Sequence, residues 1–238
     1  MTILNRARSP LLPDLERSRA VLIACDDPAV RVPESQPTVR TKELAGALVA
    51  PHLGPAFSAR HLTLVTSWTS PQELVDVVGP PLAEASDVVL FHYRGTGAVH
   101  RRLLDPTLLE IGRLVRESAA TRHVVLLDCE DNAHILRSCR RDLAPGDRRT
   151  DSIAMHGVLP VVEGHEPDSR GDEFTDTLVD VLHSGVRGRR AVLSLLDLCD
   201  AVENEWIAGA SSVSVSDEHQ AALSINLAHG PAAVRKGT

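Results

Sequence analysis

Five short apolar runs mark the chain, and they lack the regular polar alternation of a half-exposed strand. Continuous runs of Val, Leu and Ile are typical of strands that are covered on both faces. The last run is the weakest; the five are AVLIAC at 20–25, LTLVT at 62–66, VVLFHY at 88–93, VVLLDC at 124–129 and SIAM at 152–155. The pattern therefore predicts a sheet that is buried between two layers.

Segments with helical spacing lie between and after these runs. Alternating strands and helices imply a mostly parallel sheet with helices on both faces, joined by right-handed crossovers. The apolar positions that indicate helices are Leu44, Leu48 and, less well, Leu53; Leu74, Val75, Val78 and Leu82, interrupted at Gly79-Pro80-Pro81; Leu108, Ile111 and Val115; and Phe174, Leu178, Val181 and Leu182, with Gly185 as a C-terminal cap. A last helix is predicted from about Ser194 to Trp206. The expected fold class is an α/β three-layer sandwich.

The length of the chain favours one domain. With 238 residues, of which 43% are hydrophobic, it can form one sizeable core. We expect that domain to span 19–229, between a flexible arm at 1–18 and a flexible tail at 230–238. No apolar run approaches the roughly 20 residues that a bilayer requires, and the N-terminal segment carries no secretory signal. The expected location is therefore the cytoplasm, without membrane contact.

Charge and composition exclude several classes of function. A net charge of -7, with three Phe, two Trp and one Tyr, provides neither the basic face nor the stacking aromatic rings of a nucleic-acid-binding protein. The four cysteines, Cys25, Cys129, Cys139 and Cys199, form no Cys-x-x-Cys pair, which argues against a zinc site and a disulfide framework. We therefore expect no cofactor and no nucleic-acid partner.

Two strand endings carry the most specific signal, VVLFHYRGTG at 88–97 and VVLLDCED at 124–131. They resemble the active-site strands of the caspase and metacaspase family, especially its short bacterial forms. In that family the first strand usually ends in Tyr-x-Gly-His-Gly, whose His is the base, and the second in Asp-x-Cys, whose Cys is the nucleophile. The corresponding positions here are Thr96 and Glu130. The resemblance covers roughly 12–229 and implies a caspase-like sandwich in which both catalytic residues are replaced.

Neither replacement residue supports peptide cleavage. Cysteine proteolysis requires a thiolate beside an imidazole. Thr96 cannot accept a proton near neutral pH, and Glu130 is a poor acyl-transfer nucleophile. The resemblance places the oxyanion hole at the backbone N–H groups of Gly97 and residue 130, where a carboxylate would repel the developing negative charge. The chain is therefore expected to be a catalytically inactive relative, a pseudo-protease.

Three neighbouring residues are candidates for rescuing the reaction. Cys129 is one position before Glu130, and on a strand that offset directs its side chain to the opposite face. His92 lies inside the first strand, and His100 lies three residues after Gly97. An active cysteine endopeptidase that pairs Cys129 with His92 or His100 is therefore the main alternative, and the simpler interpretation is one core thiol and two structural histidines.

An acidic cluster follows the second strand. Asp128 and Glu130 are two residues apart, so their carboxylates should face the same side, with Asp131 beside them. The resemblance implies that Asp128 matches the Asp that helps to form the pocket for a basic side chain in Arg- and Lys-specific metacaspases. Two carboxylates on one side would raise the pKa of one of them unless a cation joins them, either an arginine side chain or a divalent metal. We expect the cluster to bind a basic group without cutting it. A solvated or helix-capping cluster and a magnesium-dependent phosphoryl-transfer site are the alternatives.

The expected partner is a protein or peptide, in particular an active caspase-like protein. A homodimer is a further expectation, because the family often dimerises through the last strand of its sheet. The segment SSVSVS at 211–216 alternates like an edge strand and could supply that contact.

Overall fold

The computed structural model describes residues 12–25, 36–95, 101–128, 150–155, 174–189, 191–205, 212–214 and 222–227. Its strands are β1 (Arg19–Cys25), β2 (Leu62–Val65), β3 (Val88–Gly95), β4 (Arg122–Asp128), β5 (Thr150–Met155), β6 (Val192–Ser194), β7 (Ser212–Ser214) and β8 (Ala222–Ile225). Its α-helices are α1 (Gln36–Val49), α2 (Pro71–Glu84), α3 (Arg101–Glu117), α4 (Phe174–Ser184) and α5 (Leu195–Glu205). Strands and helices alternate along most of the chain, as the hydrophobic pattern predicts.

One six-stranded sheet forms the centre of the molecule, in the order β2-β1-β3-β4-β5-β7. The first five strands of this order run parallel, and β7 pairs antiparallel with β5. The five apolar runs are the five parallel strands, so that prediction is confirmed. β7 lies at the edge of the sheet, as predicted for the segment 211–216, while β6 and β8 form a separate antiparallel pair.

β1, β3 and β4 divide their side chains between two helical layers, because alternate residues of a strand point to opposite faces. One layer contains α1, α4 and α5, and it packs on Leu22, Leu90 and Leu126. The other contains α2 and α3, and it packs on Ile23, Phe91 and Leu127. All these strand side chains are buried. The result is the predicted α/β three-layer sandwich. Within the described ranges, no helix is both long enough and apolar enough to cross a bilayer.

Helix α2 differs from its prediction, because the Gly79-Pro80-Pro81 segment does not interrupt it. The helix begins after Ser70, whose hydroxyl accepts a hydrogen bond from the Glu73 amide at 3.1 Å, and continues to Glu84. Pro80 is exposed, so its ring faces solvent, whereas Leu82 is fully buried one turn after Val78. Burial of that apolar stripe against the sheet keeps the segment helical despite the missing backbone donors.

Helix α4 ends as predicted at Gly185, whose positive φ of 71° is a left-handed conformation that favours glycine. The Gly185 amide donates to the Val181 carbonyl at 2.8 Å, which satisfies one carbonyl of the last turn. The last helix, α5, confirms the segment predicted from about Ser194; its predicted last residue, Trp206, lies outside the described residues.

The end of the predicted N-terminal arm is hydrogen-bonded to the start of β3. The Asp14 amide donates to Asp87 at 2.7 Å, and the Val88 amide donates to the Ser18 hydroxyl at 3.2 Å. Arg122, at the start of β4, donates to the same Asp87 carboxylate at 2.8 Å. Asp87 therefore joins the arm, β3 and β4 at the amino ends of the strands, opposite the candidate site.

Candidate functional site

The carboxyl ends of β3 and β4 lie side by side and present polar side chains to one helical layer. Arg94, the penultimate residue of β3, is the register partner of Asp128, the last residue of β4. His92 lies two residues before Arg94, so it shares the face of Leu90, which packs against the layer of α1 and α4. The apolar face of β3 therefore becomes polar over its last two inward-facing positions.

Arg94 is almost fully buried and contacts two carboxylates. Its side chain is 1% exposed, with Nε 3.6 Å from Oδ2 of Asp128. Its Nη1 donates to Oδ1 of Asp176, in the first turn of α4, at 2.8 Å. A guanidinium presents several donors in a fixed planar arrangement, which suits two acceptors on different elements. Arg94 thus connects both strand endings to α4.

A second arginine completes this charge network at the edge of the layer. Nε of Arg40, on α1, lies 3.5 Å from the same Oδ1 of Asp176. The Arg40 side chain is partly exposed, and it also donates to Glu43 at 2.7 Å. The Glu43 bond is the largest of the effects that raise the pKa of Arg40. The buried carboxylates therefore face guanidinium groups from β3 and from α1.

Thr175 fastens the start of α4 to Asp128. Its hydroxyl donates to Oδ2 of Asp128 at 2.5 Å, and its backbone amide donates to the same oxygen at 3.1 Å. Amides in the first turn of a helix have no intrahelical partner, and that end of the helix favours negative charge. Asp128, on β4, therefore caps the start of α4.

His92 extends the chain of hydrogen bonds inward. Its ring is fully buried, and Nε2 lies 3.0 Å from the Thr175 hydroxyl. Because that hydroxyl gives its proton to Asp128, we assign the proton of the neutral imidazole to Nε2, which donates to Thr175. Within the described part of the chain, Nδ1 of His92 has no hydrogen-bond partner. The ring is therefore held through one nitrogen.

The pKa values of the two titratable groups move in opposite directions, and burial is the main cause of both shifts. Burial, with a smaller contribution from the positive charge of Arg94, lowers the pKa of His92 to about 3. Burial raises the pKa of Asp128, against the opposing effects of Arg94 and of the hydrogen bonds from Thr175, while Asp176 adds to the increase. At neutral pH the imidazole is therefore uncharged.

The structure joins two of the predicted site residues, His92 and Asp128, through Thr175. The other predicted positions, Thr96, Gly97, His100, Cys129, Glu130 and Asp131, lie outside the described residues. Four members of the network, Arg40, Arg94, Thr175 and Asp176, are absent from the predicted site. Arg94 was detectable, since it is a charged residue directly after an apolar run, and so was the Thr-Asp pair at the start of a predicted helix.

The arrangement suits fixed charge pairing better than metal binding. Over the described ranges, no group of three or more His, Cys, Asp or Glu side chains is placed to hold a metal ion. Oδ2 of Asp128 already receives two hydrogen bonds from Thr175 and faces Arg94. The buried polar groups therefore bind one another and hold two strands and two helices together.

No protein-family model matches this chain, and a search of curated proteins finds no match to it.

Proposed function

We propose that the chain is a catalytically inactive caspase-like protein, a pseudo-protease that acts as a binding or regulatory partner. The observation that carries this proposal is the position of the two strand endings that resemble the family. Residues 88–95 and 124–128 of these segments lie in β3 and β4, which are adjacent and parallel, so the two strands end on the same side of the sheet, just before residues 96 and 130 in the sequence. A base and a nucleophile on separate strands require this adjacency in order to meet.

The strand order also supports a ligand site at this edge. β2 lies on one side of β1 and β3 lies on the other, so the direction of chain progression reverses at β1. In open parallel sheets, ligands bind at the carboxyl ends of the strands close to such a reversal. Gly95, the last residue of β3, is the register partner of Cys25, the last residue of β1. This strand order supports the proposal that a relative would bind its peptide at the end of the sheet where β3 and β4 stop, just before the two altered positions in the sequence.

The environment of His92 argues against its use as a replacement base. A general base must reach the proton that it removes. The His92 ring is fully buried, and its Nε2 is engaged by Thr175. A peptidase that used Cys129 would therefore need His100 or a rearrangement of β3. This favours binding over cleavage.

Regulation of an active caspase-like peptidase is the role that we propose for the surface around this edge. A second contact is available on β7, the outermost strand of the sheet, because such a strand can pair with a strand of another chain and so extend the sheet. A homodimer formed through β7 is part of the proposal. Sedimentation velocity over a wide range of concentrations tests this part, and a monomer throughout would exclude it.

The family assignment can be tested without requiring turnover. The double variant Thr96→His with Glu130→Cys should place an imidazole beside a thiol, which lowers the pKa of the thiol. Alkylation of the introduced thiol at pH 6, followed by peptide mass spectrometry, should then be faster than in Glu130→Cys alone. Equal rates would show that the two positions do not face each other and would overturn the assignment.

The loss of activity needs its own assay. Unmodified protein is incubated with fluorogenic Arg peptides, with Cys129→Ala as the control. We expect no turnover that depends on a thiol. In parallel, the protein is titrated into an active Arg-specific caspase-like peptidase from the same organism, whose rate should change at saturation. Turnover that disappears in Cys129→Ala would replace the pseudo-protease with an active cysteine peptidase.

A further inference from the structure

The acidic site at the end of β4 already contains a basic group of the same protein. The Arg94 guanidinium lies between the carboxylates of Asp128 and Asp176, at 3.6 Å from Oδ2 of the first and 2.8 Å from Oδ1 of the second. Asp128 is 6% exposed and Arg94 is 1% exposed. An arginine side chain from another molecule would have to take the same position and make the same contacts.

Competition favours the internal arginine. A group attached to the same chain acts at a high effective concentration, and the rigid strand fixes it in place before any partner arrives. Arg94 is held at the end of β3 by pairing with β1 on one side and β4 on the other. An external guanidinium offers the same chemistry and loses translational freedom on binding. The basic group expected in the sequence-predicted site is thus supplied from within.

We infer that Arg94 is an internal ligand of the Asp128 and Asp176 carboxylates and closes this site to basic groups of other molecules. The site binds a guanidinium group, and it accepts a guanidinium from another molecule only when the Arg94 side chain is removed. Any binding of a basic peptide by the intact protein must then use other residues, such as Glu130 and Asp131. The inference rests on contacts of Arg94 with β4 and α4 and does not depend on the proposed pseudo-protease function.

Chemical rescue tests this inference. Arg94→Ala removes the part of the side chain that ethylguanidinium can replace. Asp128 and Asp176 then lose the guanidinium that both of them contact. Ethylguanidinium at about ten times its Kd should raise the melting temperature of Arg94→Ala by about 3–6 °C. The intact protein should show no such increase. Ethylammonium at the same concentration is the matched additive, because it has the charge without the planar set of donors.

Two variants serve as controls. Arg113→Ala removes a partly exposed arginine that pairs with Glu110 and Glu117, and ethylguanidinium should not stabilise it. In Arg94→Ala with Asp128→Asn, the affinity for ethylguanidinium should fall at least about tenfold, because one charge-assisted contact is lost. Equal stabilisation of Arg94→Ala and Arg113→Ala, or none in either, would overturn the inference.

If Arg94→Ala does not fold on its own, refolding in the presence of the additive provides the test instead. The variant is then refolded from urea with ethylguanidinium or with ethylammonium, and its folded fraction is measured by circular dichroism and gel filtration. Recovery with ethylguanidinium alone supports the inference, and recovery with both additives or with neither contradicts it. Calorimetry of the intact protein with an Arg-containing tripeptide completes the test. Heat of binding that persists in Asp128→Asn supports the inference, whereas heat that is abolished in Asp128→Asn protein shown by circular dichroism to be folded overturns it.

Discussion

Arg94 and Asp128 are register partners on adjacent parallel strands, and both of their charged side chains are buried, with Nε and Oδ2 3.6 Å apart. A buried ion pair is weak evidence for stability as a whole, because both ions lose their hydration. Removal of one partner is costly, since it leaves the other charge buried without compensation. The consequence of breaking the pair is therefore easier to predict than the contribution of the pair itself.

Asp128→Asn should destabilise the protein strongly. The amide oxygen can still accept hydrogen bonds from Thr175, so the variant removes mainly the negative charge that faces Arg94. Loss of one member of a buried pair costs about 3–5 kcal/mol of unfolding free energy. Urea denaturation followed by circular dichroism measures it.

A surface pair provides the comparison for this variant. Arg19 and Glu84 are 3.3 Å apart, but the Glu84 side chain is 63% exposed. Glu84→Gln should therefore change the unfolding free energy by less than about 1 kcal/mol. Similar effects of the two variants would mean that Asp128 is hydrated in solution and that Arg94 does not depend on it.

The Thr175 hydroxyl should contribute more to the stability of the protein than the volume of the Thr175 side chain does. Thr175→Val keeps the shape but leaves His92 without its hydrogen-bond acceptor and Asp128 without one donor. An unsatisfied buried polar group costs about 1–3 kcal/mol. Thr175→Ser keeps the hydroxyl and should retain most of the stability. Denaturation of both variants under one set of conditions checks this, and a serine variant no more stable than the valine variant would refute it.

The elements were predictable because burial on two faces leaves a local signature. β1, β3 and β4 are covered by helices on both sides, so their sequences are nearly continuous apolar runs, and the helices that cover them carry an apolar stripe. The pair β6 and β8 left no such signature. They are three and four residues long, and a serine in each, Ser194 and Ser224, breaks the apolar run.

The buried network was only partly predictable, because its members are far apart in the sequence. His92 and Asp128 could be identified as polar residues at the ends of apolar strands. Arg94 was detectable as a charged residue directly after an apolar run, but its burial was not, because burial of an arginine depends on acceptors elsewhere. Those acceptors are on β4 and α4, and only the folded sheet brings them to Arg94.

The left-handed conformation of Gly185 gives a prediction with a closely matched control. Gly185→Ala places a Cβ at a φ of 71° and should cost about 1–2 kcal/mol. Gly46→Ala, on an exposed position of α1 where a Cβ meets no atom within 4 Å, should instead stabilise the protein by about 0.5–1 kcal/mol. Thermal unfolding of both variants measures the opposite signs. A stabilising effect at Gly185 would contradict the cap.

His92 should make the protein sensitive to mild acid. Its pKa is about 3 when folded, against an ordinary value of 6.5. Between these two pKa values the imidazole of the unfolded chain binds a proton and that of the folded protein does not. A fall in pH from 7 to 5 therefore stabilises the unfolded state. Integration from pH 7 to pH 5 gives a loss of about 2 kcal/mol from this group. Asp128 works in the opposite direction, since its raised pKa favours the folded state as the pH falls.

The variant His92→Gln isolates this contribution. Glutamine keeps an N–H donor for the Thr175 hydroxyl but does not titrate, while Arg94 and Asp128 remain in place. Carboxylates whose pKa is lowered by hydrogen bonds, such as Glu73 and Glu110, lose their contribution at lower pH than this window. The unfolding free energy of the natural protein should therefore fall between pH 7 and pH 5 by about 2 kcal/mol more than that of His92→Gln. Equal losses would mean that the imidazole of the folded protein reaches solvent and binds its proton as readily as in the unfolded chain.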